Sequence, residues 1–379
     1  MKSILLSIAD LFRETDKVFL IICALCTGYG CVAVFSATAY TGSLRQPLTH
    51  LLCGVIGLFA ALVISSFDFD NLIRYWYAFA FIGLVPVILT FFIGFAPGDT
   101  DDKAWLNLGF TTFQPAELLK ICFIITFSAH LSSLKDKIKK LKYLIPALIH
   151  GMIPVILIHF QGDDGTALVF LIMVIFMLIM AGMSVKHIIP LAAIGVLSLP
   201  FIYLFVMNED QKQRITYLFD INSNLQGIGY QQYRGRLALE NGGLTGMGLF
   251  KGSLTQVNGV PEGQNDFIFV SIGEELGFIG CILVIVLLVL LLLRVIYIAR
   301  NCNRGSGKLI CVGFFAMVMA QAVINIGMCL SVLPVIGITL PFFSAGGTSL
   351  ACLFLGVGLV LGVYSHRNKR EIYLRNTGR

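Results

Sequence analysis

Apolar and polar positions alternate along this chain in long blocks. Ten apolar runs, at about 17–38, 47–66, 72–94, 114–134, 143–160, 166–183, 187–207, 266–293, 309–333 and 340–364, are separated mostly by short polar segments. Each is long enough to cross a hydrocarbon layer as a helix. They lack the two-residue alternation of an outer-membrane barrel and are too long for barrel strands. The expected fold is therefore all-α: a polytopic integral membrane protein of about ten transmembrane helices in one domain spanning 1–379. The eighth run is long enough to tilt or to protrude from the bilayer. The segment between runs seven and eight, about 208–265, is far longer than any other connection. It mixes aromatic, apolar, glycine and charged residues, so it is expected to be an ordered, functional loop. No cleavable leader is expected, because Lys2, Asp10, Arg13, Glu14, Asp16 and Lys17 crowd the first 17 residues.

Composition agrees: of 379 residues, 57% are apolar and 13% charged, and the mean hydropathy is +0.86. Charge placement then orients the spans. With the N-terminus in the cytoplasm, 19 of the 27 Lys and Arg fall on the cytoplasmic side, which favours both termini inside and places the 208–265 loop outside. The net charge of +6 is thus an orientation signal and gives no argument for nucleic acid. Of the ten cysteines, only Cys302 lies outside an apolar run, so they read as small core residues rather than as disulfides or metal ligands.

Ionisable residues inside apolar runs are functional candidates by default. Glu117 and Lys120 share one face of the fourth span, where they form a local ion pair or serve a partner elsewhere. Both the fourth and eighth spans enter from outside. At helical rise, Lys120 lies about 9 Å below Gln114 and Glu274 about 12 Å below Asp266. This similar depth leads to the expectation that Lys120 also compensates Glu274 or Glu275. Asp266 is expected at the water's edge, ionised without deep burial, as a helix cap or a reactive acid. In "QGDDGT", Asp163 and Asp164 have three open roles: holding a cation, accepting protons, or capping the sixth span. The long loop adds Arg214, Arg234, Arg236 and Lys251, cations suited to phosphate. It also adds the glycine-rich "ENGGLTGMGLFKG", whose backbone can approach a ligand closely.

Five stretches, "AWLNLGFTTFQPAELLK", "QGDDGTA", "GIGYQQYRGRLALENGGLTGMGLFKG", "VPEGQNDFIFVSIGEELG" and "INIGMCLSVLPVIGITLPFFSAGGTSL", occur in one order among the spans. Together they resemble the SEDS family (shape, elongation, division and sporulation), the group of RodA, FtsW and SpoVE. The resemblance covers nearly the whole chain. It implies a bacterial plasma-membrane glycosyltransferase that polymerises peptidoglycan from lipid II outside the cell. Such enzymes release undecaprenyl pyrophosphate and work with a class B penicillin-binding protein. By residue, it implies Asp266 as general base. Arg214 and, less directly, Lys251 would face the leaving pyrophosphate. Asp163 and Glu262 would serve the substrate site, and Glu117, Lys120, Glu274 and Glu275 would be supporting charges. A divalent cation, Mg or Mn, would share the pyrophosphate's charge. In the last stretch, Pro334, Gly337, Pro341, Ser344, Gly346 and Gly347 resemble a broken, re-entrant backbone. The chain departs from the family pattern at Gly162, Asp164, Arg234, Gly235, Asn265, Ala345 and Thr348. Two other functions stay open: a scaffold of a cell-wall synthase that has lost activity, and a lipid II flippase that uses the intramembrane charges.

Overall fold

The computed structural model describes residues 15–96, 103–107, 109, 112–219 and 229–367. Its chain runs through α1 (Lys17–Ala37), α2 (Arg45–Ser65), the short α3 (Phe69–Arg74), α4 (Trp76–Ile93), α5 (Pro115–Leu134), α6 (Leu141–Phe160), α7 (Asp164–Met180) and α8 (Val185–Phe201). Within the long loop lie α9 (Glu209–Phe219) and α10 (Tyr230–Gly242). Helices α11 (Ile268–Arg300), α12 (Gly305–Cys329) and α13 (Gly347–His366) complete the bundle. Among the described residues, nine helices are long and apolar enough to cross a membrane, and α7 is a shorter apolar helix of 17 residues. The expected all-α architecture is observed, with these nine helices and the shorter α7 in the places of the ten expected runs. One element was not anticipated: a two-stranded ribbon, β1 (Leu106–Asn107) with β2 (Thr112–Phe113), which precedes α5.

Helix α12 lies at the centre, packed on α5, α7, α11 and α13. Its apolar window is 72% buried, against 17% for α4 and 28% for both α2 and α6. Those outer helices turn large apolar side chains outward, Phe92 and Ile56 among them. That distribution suits a hydrocarbon solvent, in which exposed leucines and phenylalanines cost nothing. Helix α8 is the extreme case, with no buried residue in its window. It contains Pro190 and Pro200 and runs into a wide turn at Ile202–Val206. A proline withholds an N–H and crowds the preceding turn, so such loosening has a local cause.

Polar pairs pin the end opposite the long loop. Asp16 caps α1, accepting from the Phe19 amide at 2.9 Å, and also pairs with Arg294 of α11 at 2.8 Å. Arg304, in the α11–α12 turn, reaches Asp68 and Asp70 at 3.1 and 2.7 Å and so ties down α3. All ten cysteines are free, and Cys302 is fully buried.

Two irregular segments depart from simple spans, and both position the site. The first is a break inside α11, where Gly277 has φ 68° and ψ −166°. An added Cβ there would lie 2.3 Å from the Gly246 nitrogen, so the residue must be glycine for its backbone angle and for its close neighbour. The loop after α10 supplies the hydrogen bonds that the break interrupts. Met247 and Gly248 amides donate to the Glu274 and Glu275 carbonyls at 3.0 and 2.8 Å, and the Phe278 amide donates to Gly243 at 2.9 Å. Residues 278–300 alone cover about 34 Å at helical rise, enough for a bilayer. The acids at 274 and 275 therefore precede the break, enclosed by the loop rather than by lipid.

The second segment is 331–346, which is non-helical yet contains the buried residues Leu340, Phe342, Phe343 and Ser344. This is the re-entrant backbone that the last sequence stretch implies, and it moves the start of the tenth span from the expected 340 to Gly347. Protein encloses it, as irregular backbone in a membrane requires. Asn325 of α12 donates to the Ile338 carbonyl at 2.6 Å. Gly165 of α7 passes so close that an added Cβ would lie 2.3 Å from the Ile336 oxygen.

Candidate active site

The turn 261–267 sits on the re-entrant segment at the loop end of the bundle. Ala345 donates its amide to the Gln264 carbonyl at 2.8 Å, and the Ser344 hydroxyl donates to the Asn265 carbonyl at 2.8 Å. Glu262 closes the turn with a left-handed φ of 53°, its carbonyl accepting from the Asn265 and Phe267 amides, both at 3.0 Å. From below, Asn325 donates to the Asp266 carbonyl at 2.8 Å. The backbone of Asp266 is thus fixed from three elements.

Its side chain is not. Among the described residues no donor addresses the Asp266 carboxylate, which is half-buried. Oδ2 lies 3.6 Å from where a Gly337 β-carbon would sit, so the carboxylate faces the re-entrant segment. Phe267, not Asp266, is the capping residue of α11, which corrects the capping expectation. The expectation of an easily ionised acid fails too. Burial, then Glu262, then Asp163 push the Asp266 pKa up to about 7.

Asp163 does cap its helix, accepting from the Thr166 amide at 2.9 Å, while the Gln114 amide donates to its other oxygen at 2.8 Å. Gln114 precedes Pro115 at the start of α5, so α5, α7 and α11 bring their first turns together here. Asp164, the neighbour of Asp163, has a different role. It meets His159 Nδ1 at 2.6 Å and accepts from the Gln211 side chain on α9. One turn further along α9, Arg214 donates to the Val335 carbonyl at 2.8 Å, two residues before Gly337. Arg214 is exposed and has four guanidinium donors without a protein partner among the described residues.

The remaining predicted residues fall in other neighbourhoods. Lys120 pairs with Glu117 at 2.8 Å, both buried. The long loop, rather than Lys120, holds Glu274. That carboxylate accepts from the Leu254 and Thr255 amides, both at 2.8 Å, and from the Ser253 and Thr255 hydroxyls at 3.0 and 2.6 Å. Glu275 accepts from Ser36 of α1 and from Gln256 at 2.7 Å. Similar depth therefore does not bring Lys120 to these acids, because Lys120 is taken up by Glu117 and the 253–256 segment is bonded to Glu274. Lys251 is exposed in the loop that wraps Glu274 and Glu275, and the neighbouring Phe250 amide donates to Ser36 of α1 at 2.9 Å. The contacts that fix Lys251's loop therefore run to α1 and the Gly277 break rather than to Asp266. Arg234 is occupied by the Gly259 carbonyl at 2.7 Å. Arg236 keeps one buried guanidinium nitrogen unpartnered among the described residues, as does the Tyr217 hydroxyl.

Sequence reasoning missed Asn325, Gln114 and Gln211. Asn325 left a signal, since an amide in an apolar run is as conspicuous as a charge. Gln114 and Gln211 lie in polar flanks and left none. Among the described residues no three His, Cys, Asp or Glu side chains converge as a metal cage.

A multi-span helical membrane protein in which the Asp266 carboxylate faces a re-entrant segment is the class that fold and site define. The chain belongs to the FtsW/RodA/SpoVE family of cell cycle proteins, whose model matches residues 16–369. It is 28% identical over 354 residues to the peptidoglycan glycosyltransferase MrdB of Escherichia coli K12, covering 93% of this chain and 94% of that one. It is 32% identical over 355 residues to stage V sporulation protein E of Bacillus subtilis, covering 92% and 96%. Among solved structures, it resembles a chain of a peptidoglycan synthase complex studied for the coordination of polymerization and crosslinking. There the TM-score is 0.79 at 27% identity, covering 93% of this chain and 98% of that one. It also resembles the rod shape determining protein RodA of Thermus thermophilus, with a TM-score of 0.67 at 25% identity, covering 93% and 97%.

Proposed function

We propose that this protein is a peptidoglycan glycosyltransferase that polymerises glycan strands from lipid II on the outer face of the bacterial plasma membrane. The observation that supports the reading is Asp266, whose backbone is held in place while its carboxylate has no donor among the described residues and a pKa pushed up to about 7. An acceptor hydroxyl gives its proton to Asp266 as its oxygen attacks the anomeric carbon of the donor. The carbon–oxygen bond to the diphosphate breaks, the sugar inverts, and undecaprenyl pyrophosphate leaves. Arg214, bound to the Val335 carbonyl two residues before Gly337, has further donors without a protein partner among the described residues, suited to the departing charge. Glu262 and Asp163 raise the basicity of Asp266. Glu117, Lys120, Glu274 and Glu275 hold the frame.

A divalent cation belongs to this proposal only as a shared ligand of substrate phosphates. Magnesium commonly binds one or two carboxylates with its substrate, and Glu262 and Asp163 provide two near Asp266. No step depends on it. The partner is a class B penicillin-binding protein, which would crosslink the emerging strand.

The test is lipid II polymerisation by the chain copurified with its transpeptidase, with products resolved by gel. Asp266→Asn is expected to abolish polymer while leaving the complex intact. Unchanged polymerisation by that variant would refute the assignment of the base.

A further inference from the structure

The turn between α5 and α6 gathers charge that the described residues do not balance. Lys135, Lys137, Lys139, Lys140 and Lys142 fall within eight positions, and all are exposed. The single acid among them, Asp136, is taken by Lys139 at 2.8 Å. Lys137 lies over the Tyr143 ring, 5.8 Å from its centroid. Lys135, Lys140 and Lys142 have no carboxylate partner among the described residues. The arginines at this end of the bundle behave differently, since Arg294 holds Asp16 and Arg304 holds Asp68 and Asp70. The turn is also fixed in place. It is a tight helix over Lys135–Lys139, and Ile138 within it is fully buried. The like charges are therefore held together on a firm base, where an anion relieves their repulsion.

Depth selects the anion. The turn lies about 30 Å along α5 from Gln114 at helical rise, which places it at the opposite leaflet from Asp266. Leu141 and Ile145, beside Lys140 and Lys142, are 56% and 48% exposed, an apolar surface that hydrocarbon covers without cost. Tyr75, Trp76 and Tyr77 at the start of α4 are exposed as well, and Trp76 lies beside Ser133, two residues before Lys135. Aromatic side chains of this kind mark the headgroup level. The three unpaired ammonium groups thus stand among lipid headgroups, where phosphate is the abundant acceptor. A headgroup with an ammonium of its own offsets its phosphate, whereas an anionic headgroup leaves that charge for the lysines.

We propose that the 135–142 turn binds the phosphodiester of an anionic phospholipid in the inner leaflet, with Lys135, Lys140 and Lys142 as its donors. The site is separate from Asp266 and does not depend on the glycosyltransferase reading.

Trp76 makes the proposal testable. In a Trp105→Phe background it is the only tryptophan, since the chain has 2. The protein is placed in phosphatidylcholine nanodiscs containing chain-brominated phosphatidylglycerol or, in parallel, chain-brominated phosphatidylcholine, whose bromines quench tryptophan on contact. Half-maximal quenching is expected at about fivefold less phosphatidylglycerol, the preference that one lysine at an anionic surface supplies. High salt should shrink the preference. Combined Lys135→Gln, Lys140→Gln and Lys142→Gln should abolish it, whereas Lys186→Gln on α8 should leave it intact. Soluble glycerol phosphate should not displace the brominated lipid; if it does, the turn is a free-phosphate site and the proposal falls. Equal quenching by the two lipids, or a preference that survives in the triple variant, would also overturn it. Equal quenching together with lysine-dependent binding of polyglutamate would assign the turn to an acidic protein segment instead. A second readout needs no tryptophan substitution. Phosphatidylglycerol should raise the melting temperature of the parent more than that of the triple variant, and an equal rise would refute the site.

Discussion

Removing the charge at Asp266 should stabilise the protein that it inactivates. The folded environment raises this carboxyl from an ordinary value near 3.9 to about 7, a difference of about three in pKa. At about 1.4 kcal/mol per pH unit, ionising it in place costs at most about 4 kcal/mol. Partial exposure to water discounts that to about 2 kcal/mol. The sign follows from linkage. The folded state holds the proton more tightly than the unfolded one, so wild-type stability falls as pH rises from about 4 to about 7 and is level above that. Asp266→Asn has no proton to lose and escapes the fall. Thermal unfolding of the two proteins in one detergent should therefore nearly coincide at pH 4.5. At pH 8 the variant should melt several degrees higher while making no polymer. The activity of the parent should rise through pH 7 as the base is freed. A variant that melts lower than the parent at pH 8, or a gap independent of pH, would show that burial and the neighbouring acids do not set this group's protonation.

Three further substitutions probe the frame. Asn325→Leu leaves the Asp266 and Ile338 carbonyls without their donor and should cost about 2–4 kcal/mol, read as a lower melting temperature with kcat reduced more than KM is raised. Glu274→Ala strands the Leu254 and Thr255 amides and should destabilise by about 3 kcal/mol, whereas Glu274→Gln should recover part of this; limited proteolysis of the long loop reports both. Asp164→Leu frees Gln211 and loosens α9, so KM for lipid II should rise severalfold with kcat nearly kept, because the change reaches Arg214 and not the base.

The spans were legible because hydrocarbon demands long apolar runs, and nothing else in a chain resembles them. Their starts fall within four residues of the observed helices except at α13. Helix α13 begins seven residues late because 340–346 is apolar enough to read as span although its backbone is not helical. The break at Gly277 was hidden for a related reason. A glycine inside an apolar helical run is usually just a residue of that helix, and only the approach of the 243–248 loop makes it a hinge. With the break unseen, Glu274 and Glu275 read as membrane-buried charges in need of a cation, and Lys120 was the nearest in depth. Asp266 was legible as a position through the family's pattern, but its electrostatics were not. Glu262 is four residues away, yet Asp163 is 103 positions distant in sequence, and only the meeting of α7 with α11 lets it act. Arg214 and Asp266 were each named, but what connects them, the Val335–Gly337 backbone, is formed by tertiary contact.

The interruption at Gly277 changes what counts as membrane and what counts as loop. Residues 243–248 lend their amides and carbonyls to a helix they do not belong to, serving as a splint across its fracture. An extra residue inserted there would shift every one of those pairings by one place. That nominally external stretch should therefore tolerate insertion as poorly as the middle of a span.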